Sequence, residues 1–326
     1  MSIPLVQEPL GRPAPYIVRQ HEGEKMVIPG SKSVIRILAS AKETDQLMSV
    51  FHMDGTTGDP AGFHYHNEAH DIFMCTKGQM KLWVEDKCRI LSAGDFASVP
   101  PKVVHCPQLI GPINETVGLV TPGQWVDFFR FISEDYNGVF NDEFDHRNPM
   151  ATLFPKLQEV KEKNNVVFTP NHVPAAVGEW TSDDSKLPSG VETYFLRTNT
   201  GGLFAVSSIE SSSKFPASLL QRPFRFSKVH QVSHVLDGPL SIHLGGKSNL
   251  VHAGETVFLP AGITMAIEFK DVYVRFWSFA SGNGLETLVS QAGREFEGFS
   301  VPDRPEEVKD DLAAEAARDI GMEFGI

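Results

Sequence analysis

Short apolar runs broken by Gly, Pro, Asp and Asn recur along most of the chain. Val34-Ile35-Arg36-Ile37-Leu38 and Leu47-Met48-Ser49-Val50-Phe51 have the length and residue types of strands, and Asp59-Pro60-Ala61-Gly62 reads as a turn cluster after them. Met80-Lys81-Leu82-Trp83-Val84 and Lys87-Cys88-Arg89-Ile90-Leu91 read as a hairpin folded around Glu85-Asp86. After Pro122 the period lengthens: Trp125, Phe128, Phe129, Phe131 and Ile132 fall at helical spacing. A second helix is expected over 151–163, with Leu153, Phe154, Leu157 and Val160 on one face. Strands resume at 193–204 and continue through Trp277, and 304–320 closes the chain as a helix with Val308, Leu312, Ala316 and Ile320 aligned. The Pro-rich residues 1–23 read as an extended arm. Many short strands at close spacing predict a mainly β barrel or sandwich with a few peripheral helices.

The chemistry concentrates between Gly62 and His105. His64, His66 and Asp71 stand in an H-x-H-x4-D spacing, and Gly78, Gly94, Pro100 and His105 follow. Alternate residues of a strand share a face, so His64 and His66 can aim two imidazoles at one point. Asp71 shares its parity with Phe73 and Cys75, while His70 takes the opposite one. His105 can return on a distant strand. Three imidazoles and a carboxylate suit a catalytic divalent metal with open positions, and the ion could be Fe, Cu, Mn, Ni, Co or Zn. Glu68 or His70 could replace Asp71 through a local bulge. Phe51, Met53, Phe73 and Phe128 read first as barrel core and second as candidate apolar walls for a planar ligand.

These residues carry a resemblance. The pattern G-x5-H-x-H-x3,4-E-x6-G followed by G-x5-P-x-G-x2-H marks the cupin family, and this chain resembles it through His64, His66, Asp71 and Gly78, then Gly94, Pro100 and His105. Asp71 stands where the family usually has Glu, and Lys102 where it has Gly. The segment from Gly254 to Met265 repeats the second half of the pattern with Met265 in place of the histidine. Counting back from Gly238 puts Gln231 at the carboxylate position and Phe224 and Phe226 at the histidine positions. The second half therefore reads as another barrel with an apolar filling and no metal. A duplicated chain with its metal in the first half resembles the fungal quercetin 2,3-dioxygenase type of bicupin. Local matches are Pro15 to Arg19, His64 to Gly78, Ser98-Val99-Pro100 and Thr193 to Leu196.

The resemblance implies two jelly-roll cupin barrels: 1–133, metal-binding and including the arm; 134–190, a connector with a helix; 191–303, a degenerate cupin; and 304–326, a terminal helix. It further implies that His64, His66 and His105 hold one divalent transition metal, with Asp71 as ligand or catalytic base. A small phenolic or enolic aromatic, flavonol-like or polyketide-derived, would be attacked by dioxygen. Non-oxidative chemistry at the same cage (cyclase, isomerase, lyase or hydrolase) and a non-enzymatic binding role are the alternatives. Monomer and homodimer are both open, and the resemblance favours the homodimer.

Charge and composition narrow the partners. Across 326 residues, 29 Lys and Arg face 41 Asp and Glu, a net charge of −12 that argues against a nucleic-acid surface. No apolar run reaches the ~20 residues of a membrane span, and the N-terminus lacks the charged and apolar regions of a secretory signal, so a cytoplasmic protein is expected. Cys75, Cys88 and Cys106 show no paired spacing and are expected as free thiols.

Overall fold

A computed structural model describes residues 1–58, 61–178, 193–196 (backbone), 202–214, 219–293 and 310–324. The chain divides into two compact units, one comprising His21–Ala41 and Gln46–Ser185, the other Met1–Gln20, Lys42–Asp45 and Lys186–Ile326. Each is a β-barrel of two facing antiparallel layers, apart from one parallel pair at an edge.

In the N-terminal unit a seven-stranded sheet runs Phe96–Val99, His70–Lys77, Asn114–Thr121, Ser49–Gly55, Ser33–Ala39, Glu24–Val27, Glu134–Asp135. A five-stranded sheet runs Val166–Phe168, His64–His66, His105–Leu109, Gln79–Val84, Lys87–Ser92. Strands distant in sequence thus lie side by side, as a jelly roll requires. Alternation sorts the faces: Phe51 and Met53 join the interior core, while His52 and Asp54 lie on the opposite face. Gly118 lies opposite Phe51, and a Cβ there would fall 2.4 Å from the phenyl ring, so only glycine admits that ring. Gly78 turns between two strands at φ +71°, where a Cβ would also meet the carbonyl of Ile113.

The outer face of the same sheet carries a buried ion pair. Arg36, 1% exposed, donates Nη1 to Asp54, Nη2 to the carbonyl of Val139 and Nε to the carbonyl of His21 at 3.0 Å. Three separate acceptors satisfy a guanidinium that burial would otherwise penalise.

The segment expected to connect the barrels contributes instead to this unit as far as residue 178. Glu134–Asp135 extends one sheet and Val166–Phe168 the other, pairing with His64–His66. Its predicted helix divides into Pro149–Leu153, a 3-10 turn Phe154–Lys156, and Leu157–Asn164. Pro155 lacks the N–H that a continuous helix needs, and Phe154 is left exposed rather than on the buried face. The side chain of Asn148 caps the start by accepting from Met150 N.

The C-terminal unit repeats the plan. Its larger sheet runs Leu5–Val6, Tyr16–Val18, Thr256–Leu259, Gln231–Asp237, Val274–Ala280, Ala205–Ser211, Thr193–Leu196. The smaller runs Lys247–Val251, Leu240–Leu244, Thr264–Phe269, Phe224–Phe226, Met322–Phe324. The duplication extends to register: Phe224 pairs with Met265 as His64 pairs with His105, and Gln231 with Leu259 as Asp71 with Val99. Phe224, Phe226, Gln231 and Met265 are all buried.

Residues 1–23 were expected as an arm of the first barrel. Tyr16–Val18 instead forms a strand of the second barrel's sheet, paired with Thr256–Leu259, and Ile3 N donates to Asn249 Oδ1 at 2.7 Å. The physical reason is burial. Tyr16, Ile17 and Val18 are all buried, and sinking each of the two aliphatic side chains stabilises by about 1.5–3 kcal/mol, which a solvated arm forgoes. The expected boundaries near 190 and 303 lie outside the described residues, as do Asp59 and Pro60 of the turn cluster.

Two helices, Leu285–Ala292 and Asp310–Asp319, pack on this unit's core. The terminal helix buries Ala313, Ala316 and Ala317 and leaves Leu312 exposed, one position round from the expected face, and residues 304–309 lie outside the described set. In the other helix Glu286 is 3% exposed. Its Oε1 accepts from Gly284 N and, at 3.0 Å, from Thr287 Oγ1, while Oε2 is buried without a hydrogen-bond partner among the described residues. Burial pushes this carboxyl up, against the opposing hydrogen bonds from Gly284, Thr287 and its own backbone.

Two outcomes follow for stability. Asp54→Ala leaves Arg36 buried with its charge unpaired and is expected to cost about 3–5 kcal/mol, measured by urea unfolding. Because the folded carboxyl of Glu286 titrates higher than the unfolded one, its contribution is fully present below the unfolded pKa and is lost as pH rises toward the folded value. Glu286→Gln is therefore expected to raise Tm at neutral pH and to flatten the decline of Tm above about pH 4.3. A Tm against pH curve parallel to that of the wild type would refute this.

Candidate metal centre

Both sheets of the N-terminal unit contribute to one point. The smaller sheet brings His64 and His66 on one strand and His105 on its neighbour, directly opposite His64. The larger brings Asp71, opposite Val99. One ring nitrogen from each of His64, His66 and His105 lies within 4.8 Å of the other two. Ring centroids are 5.1 Å apart for His64 and His66, 4.4 Å for His64 and His105, and 5.0 Å for His66 and His105. Asp71 Oδ2 lies 3.3 Å from His66 Nδ1 and 3.3 Å from His105 Nε2. All four side chains are buried.

The backbone fixes two of the rings. His64 Nδ1 is 2.7 Å from the carbonyl of Gly62, and His105 Nδ1 is 3.0 Å from that of Val103. A carbonyl only accepts, so each Nδ1 carries the proton and each Nε2 keeps its lone pair for the centre. Burial, reinforced by the neighbouring His105 and His66, holds His64 well below the usual imidazole pKa, so it is neutral. For Asp71 burial works upward, but attraction to His66 and the contacts with His105 and His66 together outweigh it and hold the carboxyl well below its ordinary range. The two 3.3 Å approaches are close polar contacts outside hydrogen-bond geometry. His66 Nδ1 and Nε2, His105 Nε2 and Asp71 Oδ1 are buried with no hydrogen-bond partner among the described residues.

Buried lone pairs left over in this number require a partner. Inward-facing imidazole nitrogens and an anionic carboxylate fit a divalent metal ion, and the nitrogen and oxygen donor set suits the first transition row without selecting one member. Thiols take no part. Burial pushes Cys75 and Cys106 up to about 11, and Cys106 packs with Trp83 and Cys88 in a cluster separate from the imidazoles.

Of the alternatives to Asp71, Glu68 is exposed, and His70 Nε2 lies 2.7 Å from Ser98 Oγ. Phe73 has its ring 6.0 Å from that of His105. Phe51 packs on Phe129 at 5.2 Å, and Phe128 on Trp125 at 5.3 Å, while Met53 is half-buried at the core. Two neighbours of the centre escaped the sequence reading. Trp125 lies 4.6 Å from the His66 ring, and Phe168 lies 5.4 Å from that of His64. Trp125 was visible only as part of a helical period, and Phe168 falls in the stretch expected as a connector. A separate cleft of about 590 Å³, lined by Gln221, His243, Thr264 and Glu268 among others, belongs to the C-terminal unit and contains none of the four converging residues.

The Cupin domain family matches residues 51–114, a segment containing His64, His66, Asp71 and His105. Quercetin 2,3-dioxygenase of Bacillus subtilis is 33% identical over 158 residues, 48% of this chain, and the chain spans 45% of that relative. Quercetin 2,3-dioxygenase of Aspergillus japonicus is 21% identical over 88% of this chain and 95% of its own length, both barrels included. By fold the chain is a bicupin, and over both barrels it is similar to quercetin 2,3-dioxygenase. Among solved structures, oxalate decarboxylase from Bacillus subtilis superposes with TM-score 0.51 at 13% identity, covering 82% of this chain and 76% of that one. Its W96F variant gives TM-score 0.51 over 84% and 80% at 13% identity. At such identity the likeness shows the bicupin fold.

In this bicupin, His64→Ala is expected to weaken metal binding by more than the roughly 10–100-fold that loss of an outer partner costs. Asp71→Asn should retain part of the metal. Elemental analysis of untagged protein measures both, and unchanged metal in His64→Ala would refute the assignment.

Proposed function

We propose that this bicupin is a metal-dependent dioxygenase acting on a flavonol-like or polyketide-derived phenolic or enolic substrate. The observation that carries the reading is the convergence of three imidazoles and an anionic carboxylate beside aromatic side chains. Support comes also from the two relatives named for quercetin 2,3-dioxygenase activity, one of them aligned over both barrels.

His64, His66 and His105 would hold the ion. When bound, it supplies Lewis acidity for a substrate oxyanion and redox access to dioxygen. The protein's own groups do the rest. Gly62 and Val103 orient two imidazoles through their carbonyls, so the nitrogens are aligned before anything binds. Asp71 is the acceptor for the substrate's hydroxyl proton: it is anionic and buried, and its side chain is one methylene shorter than the glutamate more usual in cupins. Phe73, Trp125 and Phe168 surround the imidazoles with apolar surface, which keeps water from competing for the proton and for the oxyanion.

With quercetin as test substrate, stoichiometric oxygen uptake is expected from metal-loaded protein and none from His64→Ala. Asp71→Asn should lower kcat by about 10²–10⁴-fold, the usual worth of a general base. Full turnover under argon would replace this reading with a non-oxidative conversion at the same centre.

A further inference from the structure

The three imidazoles are not equally anchored, and the difference draws attention to the side chain beside the one without a backbone acceptor. His64 and His105 are tied to carbonyls, whereas neither nitrogen of His66 has a hydrogen-bond partner among the described residues. The Trp125 indole covers that ring at 4.6 Å with 38° between the planes. Trp125 is itself held firmly. Phe128 and Phe129 lie 5.3 and 4.9 Å from it, and it belongs to the 3-10 turn Gly123–Val126. That turn is tied down by Gly123 N donating to the carbonyl of Gln46 at 2.9 Å and by Ser49 Oγ donating to the carbonyl of Gly123 at 2.8 Å.

Trp125 is 8% exposed, and its Nε1–H has no acceptor among the described residues. Buried indole N–H groups ordinarily find one, because an unpaired donor loses its hydration without compensation. The apolar partners Phe128 and Phe129 provide none. A rigid, dry donor beside His66 is complementary to an oxygen brought in by a bound molecule.

Resting on the dioxygenase reading, we propose that Trp125 donates its indole N–H to an oxygen of the substrate adjacent to the one bound at the metal centre. Substrates are thereby restricted to aromatic compounds bearing two neighbouring oxygens, an α-hydroxyketone or its enolate. One oxygen meets the imidazole and carboxylate cluster, and the other meets Trp125. A site built around a buried donor discriminates strongly against compounds lacking the acceptor, because the donor is then left unpaired. Trp125 is in this sense a specificity-determining residue.

The test is Trp125→Phe in the metal-loaded chain, which keeps an aromatic ring beside His66 and removes the donor together with part of the indole's packing surface. Metal content and the absorption or EPR signature of the ion are expected to match the wild type, while Tm falls because the smaller ring leaves a cavity against Phe128 and Phe129. The dissociation constant for quercetin, measured anaerobically, is expected to rise about tenfold, the size of one hydrogen bond to an anionic or polarised oxygen. Equal quercetin affinity in variant and wild type overturns the proposal while leaving the dioxygenase reading intact. Loss of metal from Trp125→Phe also overturns it, because the indole would then serve to position His66. Wild-type protein that holds its metal but binds no quercetin overturns both.

Discussion

Everything at the centre depends on the antiparallel pairing that sets His105 opposite His64. The side-chain period of a strand is two, so a slip of one residue would turn His105 out of the barrel and put Cys106 in its place. The pairing is secured on the far side of the same strand, where His105–Leu109 runs in register with Gln79–Val84 over five successive pairs. The C-terminal unit keeps the equivalent pairing with Phe224 and Met265. Register is therefore a property of the barrel, and the identity of the groups it brings together is a separate variable. One unit uses the meeting point for imidazoles, the other for aromatic and aliphatic packing.

The electrostatics follow from the same confinement. Burial drives His64 toward neutrality, and it would drive Asp71 the same way were the carboxylate not next to His66 and His105. A neutral imidazole and an anionic carboxylate are the protonation states in which both groups present lone pairs. The outer face of the larger sheet solves its charge problem differently. Arg36 and Asp54 neutralise each other there and leave nothing over for a ligand.

The parts of this architecture that the sequence made legible are those specified by local rules. Face parity placed His64, His66 and Asp71, turn residues bounded the hairpin of Met80 and Leu91, and the spacing around Gly254 and Pro260 exposed the second barrel. What stayed hidden depends on contacts between distant segments. Tyr16–Val18 has the apolar character of a strand, but nothing local says that its partner is Thr256–Leu259. Val166–Phe168 is three residues long, too short for alternation to be recognised, yet it sets Phe168 opposite His64. Trp125 was legible as helix-forming and not as a neighbour of His66, because that proximity arises only when the turn after Thr121 folds back over the barrel. At Pro155 the period continued in the residue types while the backbone could not follow.

The placement of the first strand bears on how such a chain is made. Tyr16–Val18 emerges from the ribosome more than two hundred residues before the strand it pairs with, so the second barrel's sheet cannot be completed until most of the polypeptide exists. Pairings across so long a loop form late and slowly, and in the meantime an apolar segment with unpaired amides is available to the wrong partners. Division of the chain between its barrels for separate production would also strand that segment with the half to which it does not belong; a cut that respects the topology has to carry the opening residues over to the C-terminal piece.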